Sequence, residues 1–166
     1  MADYHQIYDP DDVLFFTVGK PGKRTFYFGV DKDSQQIVLK MEKQQVGALS
    51  DSLRKILPQF STQSIKQYEP PKDFEPLWTV GTIGVKYDTA TNSVIIIFQQ
   101  LTEDPEQESS VLEVIMDSEQ AAQLAKLGVE LVEQGRPICI YCGGPIDEQG
   151  HICPRSNGHR PVVDDT

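Results

Sequence analysis

Cysteine is scarce and unevenly placed. The 166 residues contain three, all between Cys139 and Cys153. An odd number confined to one short stretch does not make a secreted disulfide framework; it fits a reducing cytoplasm and a bound metal. Long apolar runs are missing: Val94 to Phe98 is one of the longest, far short of the roughly 18 residues of a membrane helix. The start, Met1 to Pro10, is polar and acidic and lacks the basic leader and apolar stretch of a secretory signal. Basic charge is in deficit, with 15 Lys and Arg against 25 Asp and Glu and a formal net charge of −10. That balance repels phosphate backbones, so nucleic acid is not expected as a partner. No Ser-His-Asp order or nucleophile elbow stands out, and 25 acidic residues guarantee chance carboxylate pairs that carry no signal.

What remains is ordinary for a soluble fold: 39% hydrophobic and 24% charged residues, enough for one compact domain or two small lobes sharing a core. After a polar leader over 1–12, Val13 to Gly19 is rich in aromatic and β-branched residues and predicts a strand. Lys20-Pro21-Gly22-Lys23 predicts a turn. Arg24 to Val30 returns as a strand whose imperfect alternation implies cover on both faces, and Gln36 to Met41 forms a third. Val46, Leu49, Leu53, Ile56 and Leu57 then recur at helical spacing, predicting a helix from about Glu42 to Leu57 that Pro58 ends.

Residues 58–76, with four prolines, form a connector expected to pack across the surface or to be partly mobile. The second half repeats the plan. Strands are predicted at Leu77 to Asp88, bent or bulged at its glycines, at Val94 to Gln99, and at Ser110 to Met116. Asn92 suits a left-handed turn residue. A helix follows, capped by Asp117 or Ser118 with Gln120 in capping-box position. Ala121, Leu124, Ala125, Gly128, Leu131 and Val132 line one face, and Gly135 and Pro137 end it. The expected fold is α+β: two βββα units, 13–57 and 77–134, forming an antiparallel sheet or sandwich with two helices, followed by a zinc knuckle over 135–160 and a flexible tail over 161–166. The echo of Phe16-Thr17-Val18-Gly19 in Trp78-Thr79-Val80-Gly81 fits an internal duplication.

The chemistry lies in the last third. Cys139 and Cys142, two residues apart and followed by Gly143-Gly144, have the spacing of a zinc knuckle. His151 and Cys153, separated by one residue, can both face a metal from an extended strand. The expected site is a structural Cys₃His zinc centre of Cys139, Cys142, Cys153 and a histidine, with no open position for substrate. His151 and His159 both stand at usable distances for the fourth place. A redox dithiol reading is disfavoured because the Cys-x-x-Cys pair is flanked by Gly-Gly-Pro rather than opening a helix. Arg136, Arg155, Asn157 and Arg160 gather around the segment, either bracing it or offering an anion or partner surface. Gly19 to Arg24 is glycine-rich and basic but lacks the Walker spacing and following helix, so it reads as a hairpin turn. Trp78 reads as a core anchor; His5 has no evident partner.

Four stretches carry a wider likeness: Gly19 to Phe26, Glu42 to Val46, Val80 to Thr82, and Gly135-Arg136-Pro137 through Cys139 to Gly143 and Gly150 to Gly158. On these the chain resembles a bacterial family of uncharacterised proteins, domain of unknown function 3090, found mainly in Actinobacteria and Chloroflexi. The resemblance implies that His151, within a Gly-His-x-Cys-Pro-Arg-x-Asn-Gly run, is the zinc ligand rather than His159. It implies no activity, and in Actinobacteria it implies only a pathway shared with a histidine-phosphatase-like and a lipid-kinase-like protein. The expected function is a non-enzymatic, cytoplasmic binding or adaptor protein with a protein partner. The alternative is an enzyme acting on a small phosphorylated or anionic substrate near Arg136, Arg155, Asn157 and His159.

Overall fold

The computed structural model describes residues 2–20, 22–57, 69–133, 151–152 and 161–162. Its strands are β1 (Tyr4–Tyr8), β2 (Asp12–Val18), β3 (Thr25–Lys32), β4 (Gln35–Met41), β5 (Val80–Asp88), β6 (Ser93–Gln100), β7 (Val111–Asp117), β8 (His151–Ile152) and β9 (Pro161–Val162). Helix α1 (Lys43–Ile56) follows β4 and α2 (Ser118–Glu133) follows β7, so the order βββα occurs twice behind β1. The fold is α+β with two helices and two larger sheets, one antiparallel and one mixed. Among the described residues no helix is long and apolar enough to cross a membrane.

Strands β2, β3 and β4 form an antiparallel meander, and so do β5, β6 and β7. The second sheet gains β1, which lies parallel to β7 with Tyr4 opposite Val111 and Tyr8 opposite Ile115. The polar leader expected over 1–12 therefore contains a strand. Of its five residues only Ile7 is buried in the core, so no apolar alternation marks it. A reciprocal pairing joins the halves elsewhere. Residues leading into β5 run beside β4: Leu77 N–H donates to Val38 O at 2.7 Å, Lys40 N–H to Trp78 O at 3.1 Å, and Lys40 pairs in parallel with Thr79. Each half thus places its leading segment against the third strand of the other.

The two sheets share one core, in which Phe28 of β3 meets Phe98 of β6 with ring centroids 4.6 Å apart, and Phe15 of β2 packs edge-on against Phe28 at 5.9 Å. The other face of the first sheet is covered as well. Leu14, Phe16 and Val38 are buried there beneath Phe74, whose ring lies 5.1 Å from Phe16 and 4.9 Å from Tyr27. This accounts for the imperfect alternation of Arg24 to Val30, whose Tyr27 faces Phe74, and it shows the described end of the connector packing across a sheet. The echo of Phe16 to Gly19 in Trp78 to Gly81 falls at the end of β2 and at the start of β5. The two quartets do not occupy corresponding positions.

The helices carry their apolar faces inward as the spacing requires, with Val46, Leu49, Leu53, Leu124 and Ala125 buried. Each lies against a strand of the opposite half, α2 on β2 and α1 on β5, and the two pack on one another. Leu57 ends α1 by donating its N–H to Leu53 O at 3.1 Å. Asp117 caps α2, accepting the Gln120 N–H at 2.7 Å. The Gln120 side chain does not close the expected box; it donates instead to Pro10 O between β1 and β2 at 2.9 Å. Where the helices cross, Ser50 is buried and donates its hydroxyl back to Val46 O at 2.8 Å. A Cβ on Gly128 would lie 1.9 Å from Ser50 Oγ and 3.0 Å from the Phe15 ring. Only glycine admits that approach.

The turns match their residues. Lys23 N–H donates to Lys20 O at 2.9 Å with Gly22 at φ +88, the type II geometry in which a left-handed third residue favours glycine. Asn92 adopts φ +54 as its residue type allows. Asp33 and Ser34 both have positive φ, +50 and +68, in a two-residue hairpin built without glycine. Ser34→Gly is therefore expected to raise the unfolding free energy by up to about 1 kcal/mol, measured by urea denaturation. Gly128→Ala is expected to lower it by about 1–3 kcal/mol through overpacking. Adding Ser50→Ala recovers part of that loss by removing the nearest clashing atom, so the pair is non-additive in a double-mutant cycle.

Candidate functional site

The zinc ligands expected from the sequence lie at the edge of what the structure describes. Cys139, Cys142, Cys153 and His159 are outside the described residues, as are Arg136, Arg155, Asn157 and Arg160. His151 falls within them only through its backbone, in β8. His151 pairs with Val162 and Ile152 with Pro161, antiparallel, so Pro161–Val162, expected in a flexible tail, forms half of a two-stranded ladder. Among the described residues no group of three or more His, Cys, Asp or Glu is placed to hold a metal ion.

Within the body, the three family-like stretches turn out to meet one another or the helix ends. Gln45 Oε1 accepts the Glu42 N–H at 2.8 Å and closes the first turn of α1. The same side chain's Nε2 donates to Val80 O at 3.1 Å and Gly81 O at 3.2 Å. Those carbonyls belong to the bulge where the β5 register shifts between Val80 and Thr82. One glutamine therefore fastens α1 to the start of β5 and joins the Glu42 to Val46 stretch to the Val80 to Thr82 stretch.

The basic hairpin between β2 and β3 serves the other helix. Arg24 donates to Leu131 O at 3.1 Å, and its guanidinium lies 5.2 Å from the Phe26 ring centroid. The last turn of α2 carries no basic residue of its own. Arg24 thus supplies both a donor for a terminal carbonyl and positive charge at the negative end of the helix dipole. The hairpin is structural, as the missing Walker spacing required. It stands beside the last described turn of α2.

Two surfaces escape the sequence pattern. One is a shallow groove of about 380 Å³ between α1 and α2, lined by Gly47, Ala48, Asp51, Val129, Val132 and Glu133. Its carboxylate Asp51 pairs with Lys55 at 3.0 Å. The other is the outer face of the four-stranded sheet. There Tyr4 donates its hydroxyl to Glu113 Oε2 at 2.5 Å and Gln6 Nε2 donates to Glu113 Oε1 at 3.3 Å. The hydrogen bond to this carboxylate holds the Tyr4 phenol above its ordinary pKa, with burial and the negative charge adding to the effect. The sequence did not single out this face: Val94 to Phe98 is a continuous apolar run, which marks a buried strand without saying what covers its second side. Trp78 is half-buried and packs against the core, as its anchor role requires, but its buried Nε1–H has no acceptor among the described residues. His5 sits within β1 opposite Leu112.

No curated protein and no solved structure matches the chain significantly. A family of proteins of unknown function, DUF3090, matches residues 5–153, which include all but the first residue of β1, strands β2 to β7, both helices and the segment from Cys139 to Cys153. Since that match covers most of the chain, the protein belongs to the DUF3090 family.

Proposed function

We propose that this chain is a non-enzymatic binding or adaptor protein whose C-terminal segment, 135–160, is stiffened by a structural zinc ion. The observation that carries the reading is the division of labour among the family-like stretches. Gln45 fastens α1 to Val80 and Gly81, Gly22 shapes the first hairpin, and Arg24 caps α2 at Leu131. Those stretches do structural work in the body. The fourth, from Cys139 to Gly158, is the one whose residue types serve ligation rather than packing.

Cys139, Cys142, His151 and Cys153 would hold the ion, with His159 as the alternative fourth ligand. Three thiolates and an imidazole suit zinc and not the hard cations. A strand at His151–Ile152 supports the assignment. Alternate residues of an extended strand share a face, so the same conformation carried on to Cys153 sets it on the side of His151. A closed set of four protein ligands makes the metal a cross-link, leaving no position for substrate. Thiolates kept for a metal also fit a reducing cytoplasm. On the same reading the two βββα halves are copies of one unit. Their reciprocal strand pairing and crossed helix packing support this, and the four-residue echo does not contribute.

Elemental analysis of the purified chain is expected to find about one zinc per molecule. Cys142→Ser is expected to abolish stoichiometric zinc while the far-UV circular dichroism and main thermal transition of the body persist, because the core lies in residues 7–125. Structural zinc in finger peptides is worth on the order of 10 kcal/mol, so a full zinc complement in Cys142→Ser would overturn the ligand set. Affinity capture with the full chain tests the adaptor reading: turnover of a small anionic substrate with no reproducible partner would reverse it.

A further inference from the structure

The outer face of the four-stranded sheet has a composition that specifies an occupant. Strand alternation and register place its residues in rows across the strands in the order β1, β7, β6, β5. One row is Tyr8, Ile115, Ile95 and Lys86; the next is Gln6, Glu113, Ile97 and Gly84; the third is Tyr4, Val111, Gln99 and Thr82. The inner rows of the same strands, such as Leu112, Val114, Ile96 and Phe98, are fully buried in the core. On the outer side Ile95, Ile97, Val111 and Ile115 are only half-buried, and Tyr4 and Tyr8 are 60% and 58% exposed. Three isoleucines, a valine and two tyrosines thus stand together on a face that neither helix covers.

Charge around this apolar centre is strongly one-sided. Beyond the first row, Asp117 and Asp88 flank Ser93. Beyond the third row, the β6–β7 connection carries the exposed Glu103, Asp104, Glu106 and Glu108. Glu113 sits within the array, and Lys86 is its lone cation. Carboxylates therefore lie at both ends of the strands, separated by the seven residues from Ser93 to Gln99, whose six steps cover about 20 Å at the rise of a β-strand. A nucleic acid would be repelled by this border, and a second copy of the chain would bring like charges together.

The geometry points to this face as the docking surface for a cationic amphipathic protein segment, apolar at its centre and basic at both ends. A helix of about 14 residues spans the same 20 Å. It would lay aliphatic side chains on the isoleucine rows and its Lys or Arg residues against the two acidic borders. The inference rests on the binding-protein reading and is independent of the zinc ion.

The test uses the full chain, isotope-labelled, titrated with a synthetic amphipathic peptide of about 14 residues bearing leucines on one face and lysines in its first and last turns. Amide shifts are expected to concentrate on Ile95, Ile97, Val111, Glu113 and Ile115, with affinity falling about tenfold from low to high salt as the charges are screened. Two exposed substitutions, Tyr8→Ala and Glu106→Lys, are expected to weaken binding severalfold without altering the thermal transition. Equal binding of a peptide with glutamates at its ends, or shifts confined to other elements, would overturn the proposal. A natural partner captured by the full chain whose binding ignores both substitutions would overturn this surface while leaving the adaptor reading intact. Absence of any partner counts against the adaptor reading itself.

Discussion

The body is held together by an exchange of backbone hydrogen bonds between its halves. The segment before β5 pairs with β4 through Leu77, Trp78 and Thr79, and the segment before β2, strand β1, pairs with β7. The second sheet takes a strand from the first half, and the edge of the first sheet takes the segment leading into β5 from the second. Backbone groups left unpaired on a buried edge cost about as much as lost hydrogen bonds. The exchange therefore makes the two meanders a single unit and brings their apolar faces onto one core. The Phe28–Phe98 contact at the centre of that core depends on it.

The helices follow from the same constraint. Because the sheets share a core, each helix covers a strand of the opposite half, and the helices must cross closely to do so. The small side at the crossing, Gly128 over Ser50 and Phe15, is the steric consequence. The polar fastenings lie at the periphery of this arrangement. Gln45 holds the start of α1 to β5, Gln120 holds the start of α2 to the β1–β2 connection, and Arg24 holds the end of α2 to the first hairpin. Residues that look functional in a one-dimensional reading, such as the basic glycine-rich hairpin, are used up in this fastening.

Among the described residues, no helix or loop packs over the outer face of the second sheet. The first sheet escapes that condition because Phe74 returns over Leu14, Phe16 and Val38. The second sheet has no such cover among the described residues, and its outer face keeps isoleucines, tyrosines and a border of carboxylates in contact with solvent. That asymmetry between two otherwise similar halves is what places the proposed docking surface on the second.

Some of this was legible from residues alone. The β-branched apolar run of Val94 to Phe98, the helical spacing of Val46 to Leu53, the proline after α1, the Lys20 to Lys23 turn and the left-handed Asn92 are local matters. Each is decided by side-chain periodicity or by one residue's backbone preference. The Cys-x-x-Cys spacing of Cys139 and Cys142 is likewise a property of the chain. What only the tertiary structure decided was the pairing of segments distant in sequence. Tyr4 to Tyr8 became a strand because β7 offered an edge, and Gln120 left its capping box because Pro10 O came within reach. Gly128 became irreplaceable because Ser50 arrived opposite it. Such outcomes depend on which surfaces meet, and no local pattern records the partner.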